Sequence, residues 1–293
     1  MDLKSTAAFS AIALPGYSPS QLRFRVFMPD HRLGTLGAAL LLVANTAWSQ
    51  TALRAWNIHP DGCPVTEAMK SFVNDVAKTS NGKYKITLHS NASLGDQPKA
   101  AQMLKSGEID VAEFSSGPLA EAVPGLKALN RPFLFTDSTR MFRYLDGVLG
   151  ERLAAKLEAS GFAVLGWYDG GARSFYCANK PISSAADLVG QKIRVQPSET
   201  YIDMVTRLGA KPVTVPFKEV LDALQQKKVD CAENNMPSYE ATGHYKVAKY
   251  LYLTNHVVSL EALVVSTKLW NALSTEDKAL FKNSGPEIGA RDA

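Results

Sequence analysis

The chain has 293 residues, 46% apolar and 20% charged, a balance that belongs to globular proteins and excludes disordered, collagen-like and coiled-coil classes. Its 32 basic and 28 acidic residues leave a formal charge of +4, too small and too evenly spread for the clustered basic stripe of a nucleic-acid binder. Cys63, Cys177 and Cys231 are odd in number and far apart; they spell neither a disulfide framework nor a CxxC site, and are expected to be small buried residues.

Taken from the N-terminus, the first feature is the apolar run LGTLGAALLLVANTAW, from Leu33 to Trp48, preceded by Arg32. It is shorter than the roughly 20 residues a spanning helix needs. Ala47 and Ser49 stand at the −3 and −1 positions of a cleavage site, so residues 1–49 are expected to be a signal peptide cut after Ser49. A start at Met28 gives a leader of ordinary length. Cleavage removes Lys4, Arg23, Arg25 and Arg32 against Asp2 and Asp30, leaving a nearly neutral chain.

Beyond Leu53, β-rich runs alternate with amphipathic helical runs, the pattern of an α/β fold. Strands are expected at LRAWNIH, YKITLHS, IDVAEF, AVLGWYD, KIRVQ, KPVTV, VDCAE and ALVVS. Helices are expected at Val65–Ser80, Pro98–Ser106, Ser138–Ser160, Glu199–Leu208, Phe217–Gln226 and Thr275–Asn283. LKSGEIDVAEF at Leu104–Phe114 aligns with LQQKKVDCAEN at Leu224–Asn234, and Lys85-Ile86 with Lys192-Ile193. Such echoes suggest an internal duplication and two similar lobes. In open α/β sheets ligands sit beyond the carboxyl ends of the strands, so functional residues should follow the strands.

Catalytic motifs are missing: no GxSxG, no GxxxxGK[ST], no GxGxxG opening a helix and no HExxH. The five histidines are scattered without metal-ligand spacing, and neither a metal nor a cofactor is expected. Glu113 and Glu233 would be paired carboxylates only across two lobes, a weak basis for acid/base chemistry. Two arginines stand out. Arg194 lies between Ile193 and Val195, so strand alternation points it away from both. Arg173 follows Gly170-Gly171, at what reads as a strand terminus opening a flexible turn. Two guanidinium forks in a partly dehydrated cleft suit a carboxylate clamp. The competing view, equally open on these residues alone, is that each arginine pairs with an acidic neighbour such as Asp169 or Glu199.

GWYDGGARSFY, DLVGQKIRVQPSE, KPVTVPFKEVLDALQQKKVD and CAENNMPSYEATGHYKVAKYLYLTNH occur in an order and spacing that resembles the DctP-type substrate-binding proteins of tripartite ATP-independent periplasmic (TRAP) transporters, over about Trp56 to Phe281. The resemblance implies a two-lobed α/β binding protein with hinge strands and a ligand cleft between the lobes. Lobe I would be residues 50–170 with 259–293, and lobe II residues 171–258. It implies a monomer in the periplasm that binds an organic acid, a sugar acid such as a uronate or a C4-dicarboxylate, without chemistry. The acid would be handed to a membrane permease pair. By position, Arg194 resembles the arginine that forms the bidentate salt bridge to the ligand carboxylate, and Arg173 a second donor. Asn234 resembles an asparagine that hydrogen-bonds the same carboxylate, and Phe217 an aromatic against the ligand. His59, Gln97, Ser115 and Gln196 fall in segments expected to line the cleft and read the ligand's hydroxyls. HPDG, ARSFY, RVQ and ENNMPSY are closest to the uronate-binding sub-group, with departures at Gln97, where an acidic residue is usual, and at Cys63, where an aromatic is. The family normally continues into a long bracing helix, so the ending SGPEIGARDA reads as a truncation. Competing functions are a sensor or ABC-type binding module, and a secreted enzyme acting on small acids.

Overall fold

A computed structural model describes residues 50–285; the apolar run Leu33–Trp48, the cleavage site after Ser49 and the tail 286–293 lie outside the described residues. The first unit is β1 (Thr51–Trp56), α1 (Pro64–Thr79) and β2 (Tyr84–His89). Val65, Met69, Phe72 and Val76 recur at helical spacing and are buried, which is why α1 lies flat on the sheet. The next helix, α2 (Gln97–Ser106), is set at both ends: the Asp96 side chain accepts the Lys99 N–H, and Gly107, at φ 74°, takes the left-handed turn that ends it. Then come β3 (Val111–Ser115) and α3 (Ser116–Ala122).

The single helix expected at Ser138–Ser160 is two, α4 (Ser138–Leu145) and α5 (Val148–Ala159). Gly147 is extended, and a Cβ at Gly150 would stand 1.8 Å from the Leu145 carbonyl oxygen. Only glycine permits so tight a corner, and periodicity alone did not register it. β4 (Phe162–Cys177) also departs from expectation, because it does not stop at Gly170-Gly171. Gly171, at φ 82°, and the irregular pairing between Asp169 and Gly171 bend the strand without ending it, so Arg173 sits inside a strand.

The rest of the chain forms β5 (Lys192–Val195), α6 (Glu199–Arg207), β6 (Lys211–Thr214), α7 (Val220–Gln225), β7 (Cys231–Asn235), α8 (Met236–Ala241), β8 (Tyr250–Ser266), α9 (Thr267–Ala272) and α10 (Thr275–Ser284). All eight expected strands are present. The short helices α3, α8 and α9 were not anticipated, each too brief to show a periodic pattern.

One sheet runs in the order β2-β1-β3-β8-β4-β7-β5-β6. β1 pairs in parallel with β2 and β3, and β5 with β6 and β7, while β8 is antiparallel to β3 and β4, and β4 to β7. Counted inward from either edge the series is the same: an edge strand, two further parallel strands, then a long antiparallel one. β3 thus matches β7, as the 120-residue echo between Glu113 and Glu233 requires. The Lys85/Lys192 echo fails this test, since β2 is an edge strand and β5 an inner one. Alternation places Ala112 and Phe114 in one apolar cluster and Val111 in another, so both faces of the first half are covered. Phe175 and Tyr176 divide the second half in the same way.

Cys177 and Cys231 stand opposite one another in the β4–β7 register and are joined by a disulfide. This corrects the expectation of unpaired cysteines: a separation of 54 residues says nothing about which strands become neighbours. Cys63 is free and buried, as expected, and burial pushes its thiol up to about 11. Replacing both Cys177 and Cys231 by serine should cost about 2–4 kcal/mol, seen in thermal unfolding as a fall of roughly 5–15 °C. An unchanged melting temperature would contradict a stabilising bridge.

Candidate functional site

Arg194 is carried by β5 between Ile193 and Val195, which enter the core beneath α6. The arginine therefore faces the other side, and it is fully buried there. Its Nε donates to the Val215 carbonyl at 3.0 Å, while Nη1 is buried with no hydrogen-bond partner among the described residues. Among the described residues no carboxylate forms a salt bridge with it. Burial pulls the guanidinium down to about 10, with Tyr176 and Glu233 opposing the fall and Arg173 adding to it. The group remains charged at neutral pH. A buried, unpaired cation is expensive, and an anion placed against it recovers that cost.

Beside Arg194 lies a cavity of ≈ 50 Å³. Ile58, Asp96 and Gln97 line it from the first half of the sheet, and Arg194, Gln196, Thr214 and Phe217 from the second. The site residues Arg194, Gln196, Gln97 and Phe217 are thereby brought together. Phe217 starts a short 3₁₀ turn ahead of α7 and packs with the apolar cluster of the first half. Gln97, first in α2, accepts the Ser115 N–H on its Oε1 at 2.9 Å, which ties the end of β3 to the cavity wall. The Oγ of Ser115 and Oε1 of Gln196 are buried without partners among the described residues.

Arg173 is differently placed. Its Nε donates to Glu233 Oε2 at 2.6 Å and its Nη2 to Glu233 Oε1 at 2.8 Å, a bidentate pair with both side chains fully buried. Nη2 also donates to the Glu233 carbonyl, and Nη1 to Asn234 Oδ1 at 2.8 Å. Tyr201 lies beneath, with its ring centroid 5.1 Å from the guanidinium carbon. Burial alone would lower Arg173; the Glu233 charge outweighs it and the net shift is upward. Burial would likewise raise Glu233, but Arg173 and then His256 hold that carboxyl down at about 2. Within the chain the Arg173 fork is occupied by Glu233 and Asn234. The alternative of an acidic partner was right in kind but named the wrong acids: Asp169 caps its own bulge through the Gly171 N–H, and Glu199 pairs with Lys127.

The consequence falls on Asn234. Its Oδ1 accepts from Arg173 and from the Asn235 N–H, so the amide is locked with Nδ2 turned outward from these bonds, buried and unpartnered among the described residues. Arg173 positions a neutral donor.

His256, His244 and Glu261, which sequence reasoning passed over, share a buried polar interior with His59 and Glu113, which it named. His256 stacks on Phe175 with centroids 4.5 Å apart and brings Nε2 within 3.4 Å of Glu233. His244 Nδ1 is 2.9 Å from the Tyr176 hydroxyl. His59 meets the edge of Phe217 at 5.5 Å. Its two ring nitrogens, together with Glu113 and Glu261 Oε2, are buried and unpartnered among the described residues. His59, Glu113 and Glu261 each offer a ligand atom within 4.8 Å of the others, a set that could in principle hold a metal ion. The 120-residue echo singles out Glu113 in the sequence; nothing there places Glu261 beside it.

Two outcomes follow from these charges. Glu233→Gln leaves the Arg173 cation buried without its partner and should destabilise the fold by about 3–5 kcal/mol, measured by urea unfolding; a loss under 1 kcal/mol would contradict the pairing. His244 is held neutral, down at about 3, by burial and then by Arg194. A base whose folded value lies below its unfolded value of 6.5 stabilises fully above pH 6.5, and loses that contribution as pH falls toward 3. Stability should therefore drop by up to about 1.4 kcal/mol per pH unit from this group, and His244→Gln should flatten the profile between pH 6.5 and 4 by that slope. An unaltered profile would contradict it.

Comparison with known proteins agrees with this architecture. Residues 57–292 match the family model for bacterial extracellular solute-binding protein family 7, DctP. A solute-binding protein of Chromohalobacter salexigens is 36% identical over 252 residues, covering 86% of this chain and 75% of its own. A TRAP periplasmic solute-binding protein from Sulfitobacter sp. NAS-14.1, solved with bound β-D-galacturonate, superposes with a TM-score of 0.79 at 37% identity, covering 80% of this chain and 78% of that one. Its counterpart from Roseobacter denitrificans, with bound β-D-glucuronate, gives 0.78 at 40% identity and the same coverage. These relatives are two-lobed binding proteins that serve transporters, not enzymes. Among the described residues no helix is long and apolar enough to cross a membrane. The chain belongs to the DctP family of TRAP-transporter solute-binding proteins.

Proposed function

We propose that this protein captures a sugar acid in the periplasm and delivers it to a TRAP membrane permease, acting as a monomer and without altering its ligand. The observation that carries this is Arg194: a buried guanidinium with no carboxylate of its own, open at Nη1 beside a cavity walled by both halves of the sheet. In the bound state the ligand carboxylate takes the place of the missing counter-charge, with Arg194 donating in plane and Asn234 Nδ2 donating from the side. Phe217 supplies an apolar wall. Gln97, Gln196, Ser115 and His59 are the candidates for contacts to hydroxyls. Relatives that hold galacturonate and glucuronate support a sugar acid as the ligand class.

Residues 50–170 with 259–293 would move as one lobe and 171–258 as the other. Both divisions fall inside β4 and β8, near the irregular pairing around Asp169 and Gly171, where a strand can twist with little loss of hydrogen bonding. A ligand touching both lobes favours the closed population by the difference in its affinity for the two states. The disulfide fits an oxidising compartment such as the periplasm. An enzyme working through Glu113 and Glu233 is disfavoured, since Glu233 is ion-paired and held at about 2, far from the value a general acid or base needs near neutrality.

Calorimetry with D-glucuronate and D-galacturonate tests the clamp. Arg194→Ala should weaken binding at least about 100-fold, the loss of two charge-assisted bonds. Arg194→Lys should restore only part of it, because a point charge lacks the planar fork. Unchanged affinity in Arg194→Ala would overturn the assignment.

A further inference from the structure

Outside the Arg194 cavity the two halves of the sheet meet a second time, through the first turn of α6. That helix has no cap of its own: Ser198 stands at the N-cap without a side-chain bond, and its Oγ is buried and unpartnered among the described residues. The Glu199 N–H is accepted instead by Oε1 of Glu121 at 2.9 Å, from the end of α3 in the other half. A carboxylate placed there meets the positive end of the α6 dipole. Lys127, in a 3₁₀ turn over Pro124–Asn130, joins the two acids, paired with Glu199 and 4.0 Å from Glu121 Oε2.

Two residues further along α6, Tyr201 is buried to 1% exposure, and its hydroxyl donates to Asn130 Oδ1 at 3.2 Å. Asn130 is a prepared acceptor. Its Nδ2 donates to the Ser116 and Leu126 carbonyls and its Oδ1 also accepts from the Ser116 hydroxyl, so the amide is fixed by its own half alone. Gly117 makes room for the incoming ring: a Cβ there would stand 2.8 Å from Tyr201 Cε2. The ring has little room to retreat, because the Arg173 guanidinium carbon lies 5.1 Å from its centroid. Beside these contacts the halves part again into a groove of ≈ 630 Å³, with Lys127 and Arg131 on one wall and Asp203 and Arg207 on the other. The contact is narrow and local.

We propose that Glu121, Lys127, Gly117 and Asn130 on one lobe, with Glu199 and Tyr201 on the other, form a latch that favours the closed arrangement whatever acid is bound. The proposal rests on the division into lobes at residues 50–170 with 259–293 against 171–258. None of these six residues lines the Arg194 cavity, so the latch adds to closure without reading the ligand. Of its parts, the Lys127–Glu199 pair is partly exposed and weak; the buried Tyr201 bond and the Glu121 cap carry most of the effect. Arg194 acts in the opposite direction, since closing over an unpaired cation is unfavourable until an anion arrives. The balance sets the binding-competent population, and apparent affinity scales with that population.

The test combines calorimetry with spin-label distances between Lys85→Cys and Lys211→Cys, on the exposed face of the outer strands β2 and β6. Cys63 is buried and the other two cysteines are bridged, so the labels go to the introduced sites. Glu121→Ala and Tyr201→Phe should each weaken D-glucuronate and D-galacturonate binding by the same factor, about 3–10-fold. Gly117→Ala should lengthen the ligand-free distance by wedging Tyr201 aside. Unchanged affinity in both Glu121→Ala and Tyr201→Phe, or factors that differ between the two uronates, would overturn the latch and leave the Arg194 anchor standing. If the wild type binds neither uronate, the anchor falls and the ligand-free distance decides: a longer distance in Glu121→Ala keeps the latch, and the wild-type distance overturns it. Glu121 is a surface residue, so this variant keeps the test open even if a buried one does not fold.

Discussion

The site is organised around Arg194, a buried cation with no carboxylate partner among the described residues. Burying a guanidinium without a carboxylate is a large unfavourable term, tolerated only where the surrounding structure holds the group in place. Here β5 fixes the backbone, Ile193 and Val195 lock the strand into the core, and the Val215 carbonyl accepts the Nε–H. What is left over, Nη1, points to the use of the site. The contrast with Arg173 sharpens this. Both arginines are fully buried, yet one is neutralised by Glu233 and serves to orient Asn234, while the other has no carboxylate partner among the described residues.

The sheet explains why two halves can share that site. Each half is its own α/β layer with apolar clusters on both faces, and polar residues gather at the carboxyl ends of β1, β3, β5 and β7. Because those ends come from two mirrored series in one sheet, the residues after the strands converge from both sides. β4 and β8, 16 and 17 residues long, are the strands common to both. The disulfide fastens β4 to β7 within the second half, so it stiffens that half without crossing between the two.

Much of this was legible in the sequence. Short β-rich runs placed all eight strands, and the strand parity of KIRVQ put Arg194 on the face away from the core. The 120-residue echo made Glu113 and Glu233 equivalent. What could not be read was long-range register. No local pattern tells that Cys177 will oppose Cys231, that Arg173 will meet Glu233 in place of Asp169, or that Glu261 will stand beside Glu113. The Gly170-Gly171 pair looked like a turn because glycine allows both a turn and a bulge, and only pairing with β8 distinguishes them. The helix broken around Gly147 has the same origin, the close approach of Gly150 to the Leu145 carbonyl, which periodicity does not encode.

A crystal structure of the protein soaked or grown with D-glucuronate tests the account most directly. It predicts the ligand carboxylate lying in the plane of the Arg194 guanidinium, two nitrogen–oxygen contacts of about 2.7–2.9 Å, with Arg173 still bonded to Glu233. A ligand seated elsewhere, or Arg194 neutralised by a protein carboxylate while the acid is bound, would contradict it.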